Sequence, residues 1–110
     1  MTVDESLKTL LEMCSANVAR VHYEGKTDQF ITFQLIMISD RFFADDGNEC
    51  VEHHYRIDLY SKSNYMTTLA AIKTALKGAD WYSVEIDAEV YETDTGYYHV
   101  PIEAKYMEVL

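Results

Sequence analysis

The sequence predicts an α+β domain in which two helices pack on one face of an antiparallel β-sheet and a long β-hairpin closes the C-terminal end. Three observations carry that expectation. Apolar residues recur at helical spacing in two segments and alternate with polar ones in four others. The segments run in the order helix, strands, helix, hairpin, which leaves both helices free to cover one sheet. With 110 residues, 48% of them apolar, the chain has the size and apolar content of one folded domain spanning 1–110.

Thr2-Val3-Asp4-Glu5 has the form of a capping box, in which the Thr2 hydroxyl and the Glu5 carboxylate each accept an otherwise orphaned amide. Leu7, Leu10, Leu11, Cys14 and Val18 then share one stripe, with Lys8, Glu12 and Ser15 toward water, and predict a helix that ends near Asn17. Glu24-Gly25-Lys26-Thr27-Asp28 is polar and aperiodic and reads as a loop. From Phe30 the period becomes two. Ile31, Phe33, Leu35 and Met37 fall on one face of a strand, and Thr32, Gln34, Ile36 and Ile38 on the other.

The segment from Ala44 to Glu49 is a turn signal, and the strand after it covers Glu52 to Tyr60. There Tyr55, Ile57 and Leu59 form an apolar face, with His54, Arg56, Asp58 and Tyr60 opposite, facing solvent or a partner. Ser61 to Asn64 supply helix-capping residues, and Tyr65, Leu69, Ile72 and Leu76 recur at helical spacing. Gly78 follows Lys77 as a stop signal, which predicts a second helix of about 13 residues.

In the final hairpin, Tyr82, Val84, Ile86, Ala88 and Val90 alternate with Ser83, Glu85, Asp87, Glu89 and Tyr91. Beyond the Thr93-Asp94-Thr95-Gly96 loop, Tyr98, Val100, Ile102, Ala104 and Tyr106 continue the pattern. Both apolar sets occupy even positions, so a register that buries them pairs residues such as Val90 with Tyr98. Pro101 cannot donate to a ladder, which predicts that the last strand is an edge or carries a bulge.

Composition narrows the function classes. A net charge of −10 and scattered basic residues oppose binding to duplex DNA or anionic membranes. The most apolar stretch, Ile31 to Ile38, is interrupted by Thr32 and Gln34 and is far short of the roughly 20 residues that cross a bilayer. Asp4 and Glu5 stand where a secretory signal would carry basic residues, so the chain is expected to stay in the cytoplasm where it is made. Cys14 and Cys50 form no CxxC pair and read as reduced, packed thiols.

Candidate chemistry is sparse. Glu49-Cys50-Val51-Glu52-His53-His54, preceded by Asp45 and Asp46, is rich in metal-ligand types, but only alternate strand residues share a face and no zinc spacing is present. Asp45-Asp46-Gly47-Asn48-Glu49 lacks the alternation of a calcium loop. The acidic row Glu85, Asp87, Glu89 and Glu103 stands where a half-exposed strand needs polar residues. Neither a nucleophile elbow nor a phosphate loop occurs. The expectation is a protein without catalytic residues, bound metal or cofactor. Nine tyrosines are the more informative excess, and Tyr60, Tyr91 and Tyr97, on or beside the polar faces, are candidate contact residues.

Several segments together resemble a known family. These are Phe30-Ile31-Thr32-Phe33-Gln34-Leu35, His54-Tyr55-Arg56-Ile57-Asp58-Leu59-Tyr60-Ser61-Lys62, the helix through Ala71-Ile72-Lys73-Thr74-Ala75-Leu76, and Tyr91-Glu92-Thr93-Asp94-Thr95-Gly96-Tyr97-Tyr98-His99. Over nearly the whole chain the pattern is similar to the tail-completion or tail-terminator proteins of long-tailed bacteriophages and prophages. The link between Val18 and Asp28 is more polar and charged than the family pattern.

The resemblance implies a structural subunit that forms a ring, usually a hexamer, which caps the finished tail tube and joins it to the head connector. Its partners would be other copies of itself, the tail tube protein and a head completion or connector protein, at the head-tail junction of the virion. DNA would pass nearby without specific binding. On that reading Glu85, Asp87, Glu89 or Glu103 faces the channel, where negative charge weakens the grip on a passing polyanion. Tyr60, Tyr91, Tyr97, Pro101, Lys105 and Met107 are the candidate subunit or partner contacts. A tail tube subunit, another head-tail connector, and a small ligand- or metal-binding domain built on Glu52 and His54 are the competing readings.

Overall fold

The computed structural model describes residues 1–15, 17–42 and 49–110, so the turn predicted from Ala44 to Glu49 lies outside the described residues except for Glu49, which opens a strand. Helix α1 (Val3–Glu12) is followed by strands β1 (Val18–Arg20), β2 (Gln29–Phe42) and β3 (Glu49–Ser61). Helix α2 (Met66–Gly78) comes next, then β4 (Tyr82–Ile86), β5 (Val90–Tyr91) and β6 (Tyr98–Val109). The strands form one six-stranded sheet in the order β1-β2-β3-β6-β4, with β5 also on β6. All pairings are antiparallel except β1 with β2. The expected α+β class and the two helices on one sheet face are therefore observed.

The helices sit where their apolar stripes dictate. Leu7 and Leu11 of α1 and Ile72 and Leu76 of α2 are buried against Ile31, Phe33, Tyr55, Ile57, Leu59, Val100, Ile102 and Ala104 of the sheet. Trp81 closes the end of this layer between Tyr55 and Tyr106, with ring centroids 5.8 and 5.3 Å away. The Thr2 hydroxyl accepts the Glu5 amide at 3.1 Å, as its capping position requires. Asn64 Oδ1 accepts the Met66 amide at 3.0 Å at the start of α2.

Five local expectations are corrected. Helix α1 stops at Glu12 with Met13 as its cap, and Val18 joins β1, pairing in parallel with Ile31. Helix α2 runs through Gly78, and the left-handed residue after it is Asp80, φ 69°. In β2 a bulge between Leu35 and Met37 inserts Ile36, so the alternation flips and Met37 lands beside His54 instead of on the core face. The final hairpin is broken. Ser83, φ 49°, sits in an irregularity between Tyr82 and Glu85, and the chain leaves the sheet between Ile86 and Val90. Val90 consequently pairs with His99 and not with Tyr98, although Ile86 with Ile102 keeps the even register.

Strand β6 is the fifth correction. It is not an edge, because it lies between β3 and β4. Pro101 is tolerated there for a specific reason. Its carbonyl accepts the Asp87 amide at 2.9 Å, which places its backbone polar side toward β4. The nitrogen that lacks a proton points the same way, into the interruption between β4 and β5, where no ladder acceptor is lost.

Candidate interaction surface

The helix-free face of the sheet and an arm that extends it hold most of the candidate residues. The core ends at the level of Leu35, Tyr55 and Tyr106. Beyond it β2 and β3 run on to Phe42 and Glu49, and β6 to Val109, giving a three-stranded arm about 20 Å long at the usual strand rise. On this arm Ile36, Met37 and Ile38 are 43%, 56% and 53% exposed, and Val109 and Leu110 are exposed too. So contiguous an exposed apolar set marks a contact surface more than it marks a monomer at rest.

Ion pairs knit the open face. Asp58, only 8% exposed, receives Arg56 Nε at 3.0 Å and lies 2.7 Å from His99 Nε2. That hydrogen bond, with the carboxylate charge, raises the pKa of Arg56. His54 Nε2 lies 2.9 Å from Glu103, which relieves the direct opposition of Glu103 and Glu85 across β6 and β4. The Glu52 carboxylate accepts from the Tyr82 hydroxyl and, at 3.1 Å, from Arg41. The Tyr82 bond leads the causes that lower the Glu52 pKa. Glu52 and His54 thus engage different partners and do not converge on a common point. Cys14, half-buried in the turn after α1, has a thiol pKa raised by burial.

The tyrosine candidates divide. Tyr60 belongs to a stack across the sheet, with Tyr23 on Phe30 at 4.7 Å, Phe30 on Tyr60 at 4.6 Å and Tyr60 on His99 at 4.3 Å. Tyr97 meets this stack edge-on, lies under the Lys62 ammonium and donates its hydroxyl to the Thr27 carbonyl. Both are half-buried and serve first as intramolecular packing. Tyr91 is 52% exposed and touches Tyr98. Pro101, Lys105 and Met107 share the open face of β6 and are half-buried.

The acidic candidates are not one row. Glu85 and Glu103 are in register on the open face, whereas Glu89 accepts the Tyr65 hydroxyl beside the start of α2. Asp87 is exposed, its amide held by Pro101. Reasoning from sequence missed Ile36, Met37 and Ile38 as surface residues. Four consecutive apolar residues, Leu35 to Ile38, were the available signal, since a strand with one covered face needs only alternate ones.

Alkaline pH should expose these tyrosine contacts. Burial and the Glu52 carboxylate push Tyr82 up to about 12, and the Glu89 carboxylate, followed by burial, pushes Tyr65 up to about 12. The unfolded chain loses these protons near pH 10, before the folded one, so stability should be full below about pH 10 and fall as pH rises toward 12. Urea midpoints measured between pH 9 and 11.5 should show this fall, with a shallower slope in Tyr82→Phe.

No family model and no curated protein matches the chain. A solved structure titled as the virion of a native gene transfer agent (GTA) particle contains a chain of similar fold. The TM-score is 0.51 with 12% sequence identity, over 98% of this chain and 87% of that one. At that identity the likeness is one of fold.

Proposed function

We propose that this protein is a structural virion component that works by self-association, as a ring capping a phage tail tube and joining it to the head connector. The observation that carries the reading is the three-stranded arm, on which Ile36, Met37 and Ile38 are exposed among the described residues. The fold shared with a chain of a gene transfer agent virion supports the virion setting, and the resemblance of the sequence to tail-terminator proteins supports the place at the head-tail junction. In this reading the tail tube protein and a head completion protein are the partners, and the role is architectural, without catalysis. Glu85 and Glu103, together on the open face, are the acids best placed to line a DNA channel.

Native mass spectrometry across a concentration series, with electron microscopy of any large species, tests it. A closed ring of defined stoichiometry is expected. Open-ended filaments would instead mean a tail tube subunit, and a strict monomer at every concentration would remove self-association as the basis of function.

A further inference from the structure

We infer that neighbouring copies join by β-strand addition, with the outer edge of β2 in one copy hydrogen-bonded to the outer end of β6 in the next. The inference rests on the self-association proposed above and names the surface that performs it.

Both edges are open among the described residues. Strand β1 covers β2 only at Ile31, Thr32 and Phe33, leaving the rest of that edge toward Phe42 without a neighbour. On the other side, β4 reaches β6 no further than Lys105, leaving Tyr106 to Val109 bare. The backbone groups concerned are identifiable. The Phe33 carbonyl points outward to the Val21 amide, and the bulge at Ile36 shifts the alternation so that Ile38 and Asp40 point outward beyond it. The Pro101 carbonyl points outward to Asp87, and the unbroken register of β6 on β3 then sends Met107 and Val109 outward. Each edge therefore offers an unsatisfied row of donors and acceptors.

The occupant is a second copy for two reasons. Strands β2 and β6 both run antiparallel to β3 and hence in the same direction. A copy rotated about an axis along the strands brings its β6 beside β2 in parallel, a contact between unlike edges that repeats from copy to copy and closes as a ring when the rotation divides a full turn without translation. The second reason is charge. Copies of a chain with net charge −10 repel each other, and Leu35 to Ile38 is a charge-free run on the exposed edge, facing the apolar Met107, Val109 and Leu110 of the other. Pairing would remove both apolar sets from water.

Crosslinking tests the edges directly. Two full-length variants, Met37→Cys and Met107→Cys, each also carrying Cys14→Ser and Cys50→Ala, are treated with a short bis-maleimide, separately and mixed. Covalent dimer only in the mixture is expected. Dimer from Met37→Cys alone would mean that two β2 edges pair with each other and would overturn the inference. Absence of crosslinks while native mass spectrometry still shows a ring would place the contact elsewhere and leave the proposed function standing, whereas a monomer in both assays removes the two together. Hydrogen exchange on the unmodified protein guards against misfolded variants. The amides of Ile38, Asp40, Met107 and Val109 should exchange at least tenfold more slowly in the assembled than in the diluted protein, and equal rates would overturn the pairing.

Discussion

Replacing Ile57 by alanine is expected to lower the unfolding free energy by about 2–5 kcal/mol, the range for deleting a large aliphatic side chain from a core that cannot collapse around the gap. Ile57 has no exposed surface and sits in the central strand, in register with Phe33 on one side and Ile102 on the other, under the two helices. Both neighbours are held by their own strand ladders, so neither can move in to fill the space. Small domains have roughly 5–15 kcal/mol in total, and each kcal/mol moves the melting temperature of a chain this size by about 4–8 °C. Thermal and urea unfolding of Ile57→Ala should therefore show a melting temperature lower by about 10 °C or more. A loss below about 1 kcal/mol would mean that the helices do not pack on β3 as described. Ile36→Ala, at an exposed bulge, should change stability by less than about 0.5 kcal/mol.

The opposite separation is expected at the arm. The double substitution Met37→Glu with Ile38→Glu should leave the melting temperature of the single chain within a few degrees of the parent, because both side chains are more than half exposed. Assembly should weaken at least a hundredfold. Losing two apolar side chains from a contact removes roughly 3 kcal/mol at about 1.5 kcal/mol each, which is a factor of about 100 or more in the association constant. Two further negative charges per copy add repulsion in the same direction. Sedimentation across a concentration series measures both species. Unchanged assembly with unchanged folding would show that the arm is not the contact.

Much of the architecture was legible because local period and burial agree. Leu7 and Leu11, Ile72 and Leu76, and the odd residues Tyr55, Ile57 and Leu59 all lie on the faces that their spacing predicts. What was not legible depends on contacts distant in sequence. Val18 continues the spacing of α1 from Cys14, and only its pairing with Ile31 makes it a strand residue. The bulge at Ile36 shows in the sequence only as an unbroken apolar run, compatible equally with a strand buried on both faces. Pro101 argued for an edge because a lost donor is costly in a ladder. The chain satisfies that constraint differently, by interrupting the neighbouring strand opposite it. The proposed contact surface was only partly legible in the sequence. Lys105 and Met107, named as candidate contacts, lie on the open face of β6, while Tyr60 and Tyr97 pack in the aromatic stack, a use of tyrosine that composition does not distinguish from an interface.

The position of β6 also sets a timetable. It follows the other described strands in sequence, yet it lies inside the sheet, pairing with β3 across sequence separations from Ser61–Tyr98 out to Cys50–Val109. During translation, β2 and β3 can zip together early, while the inner edge of β3 waits for a partner that leaves the ribosome only after α2 and β4. Such non-local closure is slow, since the loop entropy is spent before the contacts form. A polypeptide halted after β4 would hold a long unpaired strand where the finished protein has its centre, and would be prone to aggregation. Pulse-labelled nascent chains should accordingly gain protease resistance in a single late step, when β6 emerges, and not helix by helix.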